Sequence, residues 1–304
     1  MQDRYNHLNK YLKNKFGERV LKICIDGGFT CPNRDGKCGY GGCIFCGSFG
    51  SGEHLNAKES ISNQVKNHLN SYRGERANKF IAYFQNFTNT YDDIEVLKQK
   101  YDAALIDERV IGLEIATRPD CIDEKIAKLL HEYIEKYYVV VELGLQTSND
   151  KTGKLINRGY DSVTFTNAVS ILNKYDIDVI THIMVGLPGE SKEDLLNTVN
   201  FINKHEIQGV KIHSTYIIKN TKLEEMYKMG EYKPLELEEY INLACFVIAN
   251  LNPKFIIHRI SGDAPKDMLV APSWNLHKKW IMNGIEKKLI EEDIYQGKYY
   301  NKNQ

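Results

Sequence analysis

The chain reads as an α/β protein built around a parallel sheet, and two observations predict it. Short apolar runs of strand length recur at 20–26, 80–85, 110–116, 139–145, 179–185 and 210–217, each rich in Val, Ile, Phe or Tyr. Between them lie stretches whose apolar residues follow helical spacing. Six strand–helix repeats imply right-handed crossovers. Periodicity does not choose between a doubly wound sheet and an open partial barrel. In either case the site belongs at the carboxyl ends of the strands.

The elements follow in order. Leu8, Tyr11, Leu12 and Phe16 predict a leading helix within an N-terminal segment, 1–19. The strand–helix core occupies 20–220. Its helices carry Ile61, Val65, Leu69 and Tyr72; Ile126, Leu129, Leu130, Tyr133, Ile134 and Tyr137; Ala168, Ile171, Leu172 and Tyr175; and Leu195, Leu196, Val199 and Ile202. Beyond it, helical stretches at 237–251 and 275–292 flank an apolar run at 255–260. These predict a C-terminal extension, 221–304, packed on the sheet. Its polar tail, 296–304, is expected to fray.

Composition is that of a globular protein, with 42% hydrophobic and 26% charged residues. The 40 basic and 40 acidic side chains cancel, so a nucleic-acid partner is neither implied nor excluded. No apolar run approaches the roughly 20 residues needed to span a bilayer. The first sixteen residues carry charges throughout and lack the apolar core of a signal peptide. A cytoplasmic protein without membrane association is expected.

Of seven cysteines, four (Cys31, Cys38, Cys43 and Cys46) fall within sixteen residues, in a glycine-rich loop that follows the first strand. Such clustering in a cytosolic chain points to a metal or cluster site rather than to disulfides. Four thiolates would close an Fe–S electron-transfer site, whereas three would leave one iron open to chelate another molecule. A structural zinc site in a non-catalytic binding module is the alternative. Against it, only Cys43-x2-Cys46 forms the short knuckle that zinc ribbons pair.

Cys31-Pro-Asn-Arg-Asp-Gly followed by Gly41-Gly42-Cys43-Ile-Phe-Cys46 resembles the radical S-adenosylmethionine (SAM) family typified by the bacterial proteins YhcC and YtqA, close to its Elp3-like branch. The resemblance runs from Gly27 to Trp280. It implies a TIM-like partial (β/α)6 barrel and a [4Fe–4S] cluster held by Cys31, Cys43 and Cys46 in a Cys-x11-Cys-x2-Cys pattern, with Cys38 a bystander. SAM is the second cofactor implied, together with an electron donor such as flavodoxin or ferredoxin.

The resemblance extends to a cofactor pocket at the strand ends. Gln85 closes the second strand, where related enzymes bind the methionine amino group. Glu114 interrupts an apolar strand, and a carboxylate there must be paired or solvated. By likeness to the oxygen-independent coproporphyrinogen oxidase, Glu114, Gln146 and Arg158 would contact the methionine and ribose of SAM. Arg158 is the expected carboxylate partner. Gly186, in a tight Gly-x-Pro-Gly turn, would read the adenine edge, and His182 would lie near the ribose. Plain packing or network roles compete with each of these assignments.

On the substrate side, Lys211 and His213 share one face of the sixth strand. His258 and Arg259 begin a second polar cluster with Asp263, Lys266 and Trp274. These four, Lys211, His213, His258 and Arg259, are the candidates for holding a substrate carboxylate or phosphate. Lys278, Lys279, Lys287 and Lys288 with Tyr299, Tyr300 and Lys302 form a basic, aromatic stretch that a solvated helix face explains equally well. Elongator-type relatives modify wobble uridines in tRNA and carry an acetyltransferase domain for which this chain leaves no room. The resemblance therefore suggests a tRNA-maturation reaction at the anticodon loop, converting 5-carboxymethylaminomethyluridine to 5-aminomethyluridine. A protein or small metabolite as substrate is the alternative.

Overall fold

The computed structural model describes residues 3–48, 50, 55 and 58–301. Nine strands are present among them: β1 Val20–Ile25, β2 Lys79–Phe84, β3 Val110–Thr117, β4 Tyr138–Gln146, β5 Asp178–Val185, β6 Gly209–Ser214, β7 Ile217–Ile218, β8 Ile256–Arg259 and β9 Leu269–Ala271. The helices are α1 Leu8–Phe16, α2 Ile61–Leu69, α3 Ile94–Asp102, α4 Glu124–Ile134, α5 Asp150–Leu155, α6 Ser162–Lys174, α7 Lys192–Asn203, α8 Lys222–Lys228, α9 Leu237–Asn250 and α10 Lys278–Glu291. Seven strands form one parallel sheet in the order β1-β2-β3-β4-β5-β6-β8, curled into a half-barrel. β7 and β9 make a separate antiparallel pair.

The period of two along each strand divides the sheet into two chemically different faces. Ile23, Ile25, Phe80, Phe84, Leu113, Ile115, Val141 and Leu143 face the helices in the main core, where Val65, Leu97, Leu130 and Leu172 meet them. Each such buried aliphatic or aromatic side chain stabilises the fold by about 1.5–3 kcal/mol. The alternate positions carry Lys22, Tyr83, Glu114, Glu142, His182 and Lys211, a polar lining no closed barrel core would tolerate unpaired. Side-chain caps start the helices cleanly: Asp123 for α4, Asp161 for α6, and Ser191 with Asp194 in a reciprocal box for α7.

Two expectations need correction. The run at 255–260 does not merely pack on the sheet, because β8 joins it as the seventh parallel strand, pairing Gly209 with Ile256 and Lys211 with Arg259. A glycine is required there, since a Cβ on residue 209 would stand 2.2 Å from the Ile256 carbonyl oxygen. The tail does not fray at 296: Gln296 is buried and donates to the Asn252 and Phe255 carbonyls, and Tyr299 N–H donates to Ala249 O. Lys302 lies outside the described residues. No helix among those described is long and apolar enough to cross a membrane.

Candidate active site

Because all seven strands run the same way, their carboxyl ends meet at one mouth, and the cysteine loop leaves β1 there. The loop is tied down before it reaches the thiols. Asp26 exchanges two hydrogen bonds with the Gln64 side chain on α2, and its carboxylate accepts from Gly28 N and Asn86 Nδ2. Arg34 Nη2 donates to the Cys46 and Gly47 carbonyls at 2.8 and 2.6 Å, folding the second half of the loop onto the first. Asn33 Nδ2 donates to Asn157 O at 2.6 Å and approaches Cys43 Sγ at 3.9 Å. Asn157 Nδ2 in turn donates to Gly42 O at 2.8 Å. Ile44 anchors the loop in a second apolar cluster with Ile156, Leu187, Ile217 and Leu223.

These ties bring Cys31, Cys43 and Cys46 to one wall of a cavity of about 260 Å³. Cys38 does not line it; its thiol is exposed, with Arg118 Nη2 at 3.5 Å. Cys24, Cys121 and Cys245 also lie outside the cavity wall. Burial, with repulsion from Cys46 and Cys31, pushes the Cys43 thiol up to about 12, so its thiolate needs a cationic partner. The three thiol sulfurs are not all gathered within 4.8 Å of one another. Zinc at about 2.3 Å from each sulfur draws its ligands within about 4 Å of one another. Among the described residues the one metal-type trio gathered within 4.8 Å is Glu114, Glu142 and His258. A wide thiol trio on an open cavity suits a multi-iron group better than a structural zinc.

That compact trio is already neutralised. Lys22 pairs with Glu114, and Lys211 pairs with Glu142 while lying 3.5 Å from Glu114. Tyr83 OH donates to Glu142 Oε2 at 2.8 Å, and His182 Nε2 contacts the same oxygen at 2.9 Å. Burial opposes ionisation of Glu142, yet Lys211, Glu114 and His182 together hold it well below the usual carboxylate range. Burial wins at Glu114 and pushes it up, with Lys22 opposing. It likewise lowers Lys211, against the pull of Glu142. The same desolvation keeps His182, His213 and His258 neutral, the last two well below the ordinary histidine value.

The expected site residues therefore divide. Gln85, Gln146, His182, Lys211, His213 and Arg259 line the same cavity as the three cysteines. Gln146 is held at φ +61°, an unusual conformation for a non-glycine residue, with its side-chain oxygen accepting from Tyr160 at 3.0 Å. Glu114 lies beneath the cavity rather than on its wall, and the two ring nitrogens of His258 are buried without partners. Arg158 does not serve as an open carboxylate receptor. It is fully buried, and its guanidinium is committed to Leu145 O, Thr147 O, Tyr160 O and Asp150. It shapes the β4–α5 loop instead. Gly186 also stands off the wall, its carbonyl accepting from Tyr232. Trp274 is buried against Tyr240, and Lys287 and Lys288 pair with Glu291 and Glu292 on their own helix.

Lys22, Tyr83 and Glu142 are the functional-face residues that sequence reasoning left unassigned. The signal for Lys22 was present: a lone charge in Val-Leu-Lys-Ile-Cys-Ile is as anomalous as Glu114 in its own strand. The Asn33–Asn157 tie spans 124 positions and leaves no local signature.

Comparison with known proteins agrees with this architecture. Residues 33–202 match the Radical SAM superfamily, and residues 207–291 match the Radical_SAM C-terminal domain. The chain belongs to the radical SAM superfamily, and with membership come a [4Fe–4S] cluster and SAM as cofactors. It is similar to YtqA of Bacillus subtilis, 38% identical over 99% of this chain and 94% of that one. A tRNA uridine(34) acetyltransferase of Methanocaldococcus infernus is 29% identical over 62% of this chain and 33% of that protein. The solved structure of Methanocaldococcus infernus Elp3 with an N-terminal deletion shares the fold. Its TM-score is 0.71 at 20% identity, over 91% of this chain and 64% of that one.

Proposed function

We propose that the protein is a radical SAM enzyme of tRNA maturation. In this reading it converts 5-carboxymethylaminomethyluridine to 5-aminomethyluridine at the wobble position, the reaction of the enzyme MnmL. The observation that carries the enzymatic part is the convergence of Cys31, Cys43 and Cys46 on a cavity also lined by the paired charges of Glu142 and Lys211. The tRNA part is supported by the similarity to a tRNA uridine(34) acetyltransferase over 62% of the chain.

Cys31, Cys43 and Cys46 would hold the cluster, and when bound with SAM it supplies a 5′-deoxyadenosyl radical. Gln85 and Gln146, at the ends of β2 and β4, would orient the cofactor. Lys211 already answers Glu142, so its task is to keep that carboxylate ionised and fixed. Arg259 is the better receptor for a substrate carboxylate. It lines the cavity, and its present partner Asp263 is 3.3 Å away and half exposed, so an incoming carboxylate can take its place. His213, beside it, presents a buried and unpartnered Nε2. The apolar core behind the strands excludes water from the opposite side.

Anaerobic incubation of the reconstituted protein with SAM, a reductant and tRNA bearing 5-carboxymethylaminomethyluridine tests the reading. Nucleoside analysis should show loss of that base and an equal gain of 5-aminomethyluridine. Unchanged levels of both, with 5′-deoxyadenosine formed, would reject the substrate and keep the chemistry.

A further inference from the structure

The inner face of β4 and β5 carries a hydrogen-bonded carboxylate–imidazole pair, Glu142 and His182, on the cavity wall. Glu142 is fully buried, and its Oε2 sits between Tyr83 OH at 2.8 Å and His182 Nε2 at 2.9 Å. An ionised carboxylate only accepts, so Nε2 of His182 must carry the ring proton. A neutral ring then has its lone pair on Nδ1. No described residue donates to Nδ1, and the ring lines the cavity with its side chain 22% exposed. This is an imidazole oriented by a carboxylate, with its basic nitrogen open to the substrate side.

We infer that His182, fixed as this tautomer by Glu142, is the base that receives the proton of a secondary ammonium on the substrate. The inference rests on the substrate proposed above, whose carboxymethylaminomethyl group carries such an ammonium beside its carboxylate. Hydrogen abstraction from the carbon next to nitrogen is helped when the nitrogen lone pair can delocalise into the radical centre, and a protonated nitrogen has none to offer. In the step, the substrate N–H bond breaks, its electron pair stays on nitrogen, and a bond forms between the proton and His182 Nδ1. No electron changes hands. The imidazolium produced faces the Glu142 carboxylate, which offsets its charge.

The surroundings favour this ring over its neighbours. His182 is faced by Glu142 from β4, by Lys211 and His213 from β6, and by His258 and Arg259 from β8. Burial, with Lys211 and Arg259 acting in the same sense, leaves the ring unprotonated but opposes uptake of a proton, and Glu142, which acts the other way, is the group that holds the imidazolium once it forms. His213 stands 5.1 Å away, ring centre to ring centre, and its Nε2 has no partner to orient it. The Lys211 ammonium is held by Glu142. With Arg259 for the carboxylate and the His182–Glu142 pair for the ammonium, the cavity has a place for each charge of an amino-acid-like group.

The test is kcat/KM against pH for the reconstituted wild type and for His182→Gln, reading 5-aminomethyluridine in tRNA. At about pH 7 the variant should be slower by about 10²-fold or more. Its deficit should then shrink by about tenfold per pH unit as the substrate ammonium loses its proton to solvent. A purely structural role would give a deficit independent of pH, and that result, or a variant matching wild type throughout, overturns the inference. Should the glutamine variant not retain its fold and cluster absorbance, Glu142→Asp replaces it. That shorter carboxylate withdraws from Nε2, and the same pH-dependent deficit is expected, again overturned by a flat one. A wild type that makes no 5-aminomethyluridine at any pH fails at the substrate reading, and the base falls with it.

Discussion

Lys22 sits mid-strand in β1 between two hydrophobic neighbours, and its ammonium, with that of Lys211, balances Glu114 and Glu142. Removing one member of a buried ion-pair network leaves an uncompensated charge, which costs far more than the pair contributes. Lys22→Met is therefore expected to destabilise the fold by about 3 kcal/mol in denaturant melts, and Lys22→Met with Glu114→Gln should recover much of that loss. The buried histidines set the pH dependence. His182, His213 and His258 are all lowered by burial, so below about pH 6.5 the unfolded chain binds protons that the folded one refuses. Stability should fall as pH drops through that window, by up to about 1.4 kcal/mol per unit for each ring. Glu114 and Glu190, both pushed up to about 7 by burial, act the other way and soften the slope between about pH 4.3 and 7. Urea midpoints at pH 7.5 and 5.5 read the net effect, and His213→Gln should flatten it. At this scale the sequence revealed anomalies but not partners. Glu114 was conspicuous as a charge in an apolar strand, while the lysine it needs lies 92 positions away.

The first six strands and most helices were legible because apolar runs of strand length and helical spacing are local signals, whereas the three-residue β9 and the helices α3, α5 and α8 were not read. What also escaped was long-range pairing. The run at 255–260 looks like any short strand, and nothing nearby says that it adds beside β6. Gly209 is the one local hint, since β8 can approach only where residue 209 lacks a side chain. Gly209→Val should loosen this edge, seen as faster amide exchange in β8 and a lower melting temperature, with β1 to β4 little affected. The cysteine loop depends in the same way on Asn157, which reaches the Tyr40 and Gly42 carbonyls from the end of α5. Asn157→Ala is expected to lower iron and sulfide content after reconstitution while leaving the far-ultraviolet spectrum of the fold unchanged.

Taken whole, the molecule is a parallel half-barrel with two unlike ends of one cavity: thiols on a long loop at the mouth, and a neutralised ring of charges on the inner strand faces. Residue types and spacing pointed to the first, and strand alternation gathers the second. The substrate is least legible, because the polar side chains that line the cavity come from separate strands rather than from any contiguous motif. The central claim is that Cys31, Cys43 and Cys46, without Cys38, build the centre that cleaves SAM. Its most direct measurement is 5′-deoxyadenosine formation from SAM by anaerobically reconstituted wild type, Cys31→Ala and Cys38→Ala. The account predicts formation by wild type and Cys38→Ala and none by Cys31→Ala; equal loss in both variants, or no 5′-deoxyadenosine from wild type carrying its iron, would contradict it.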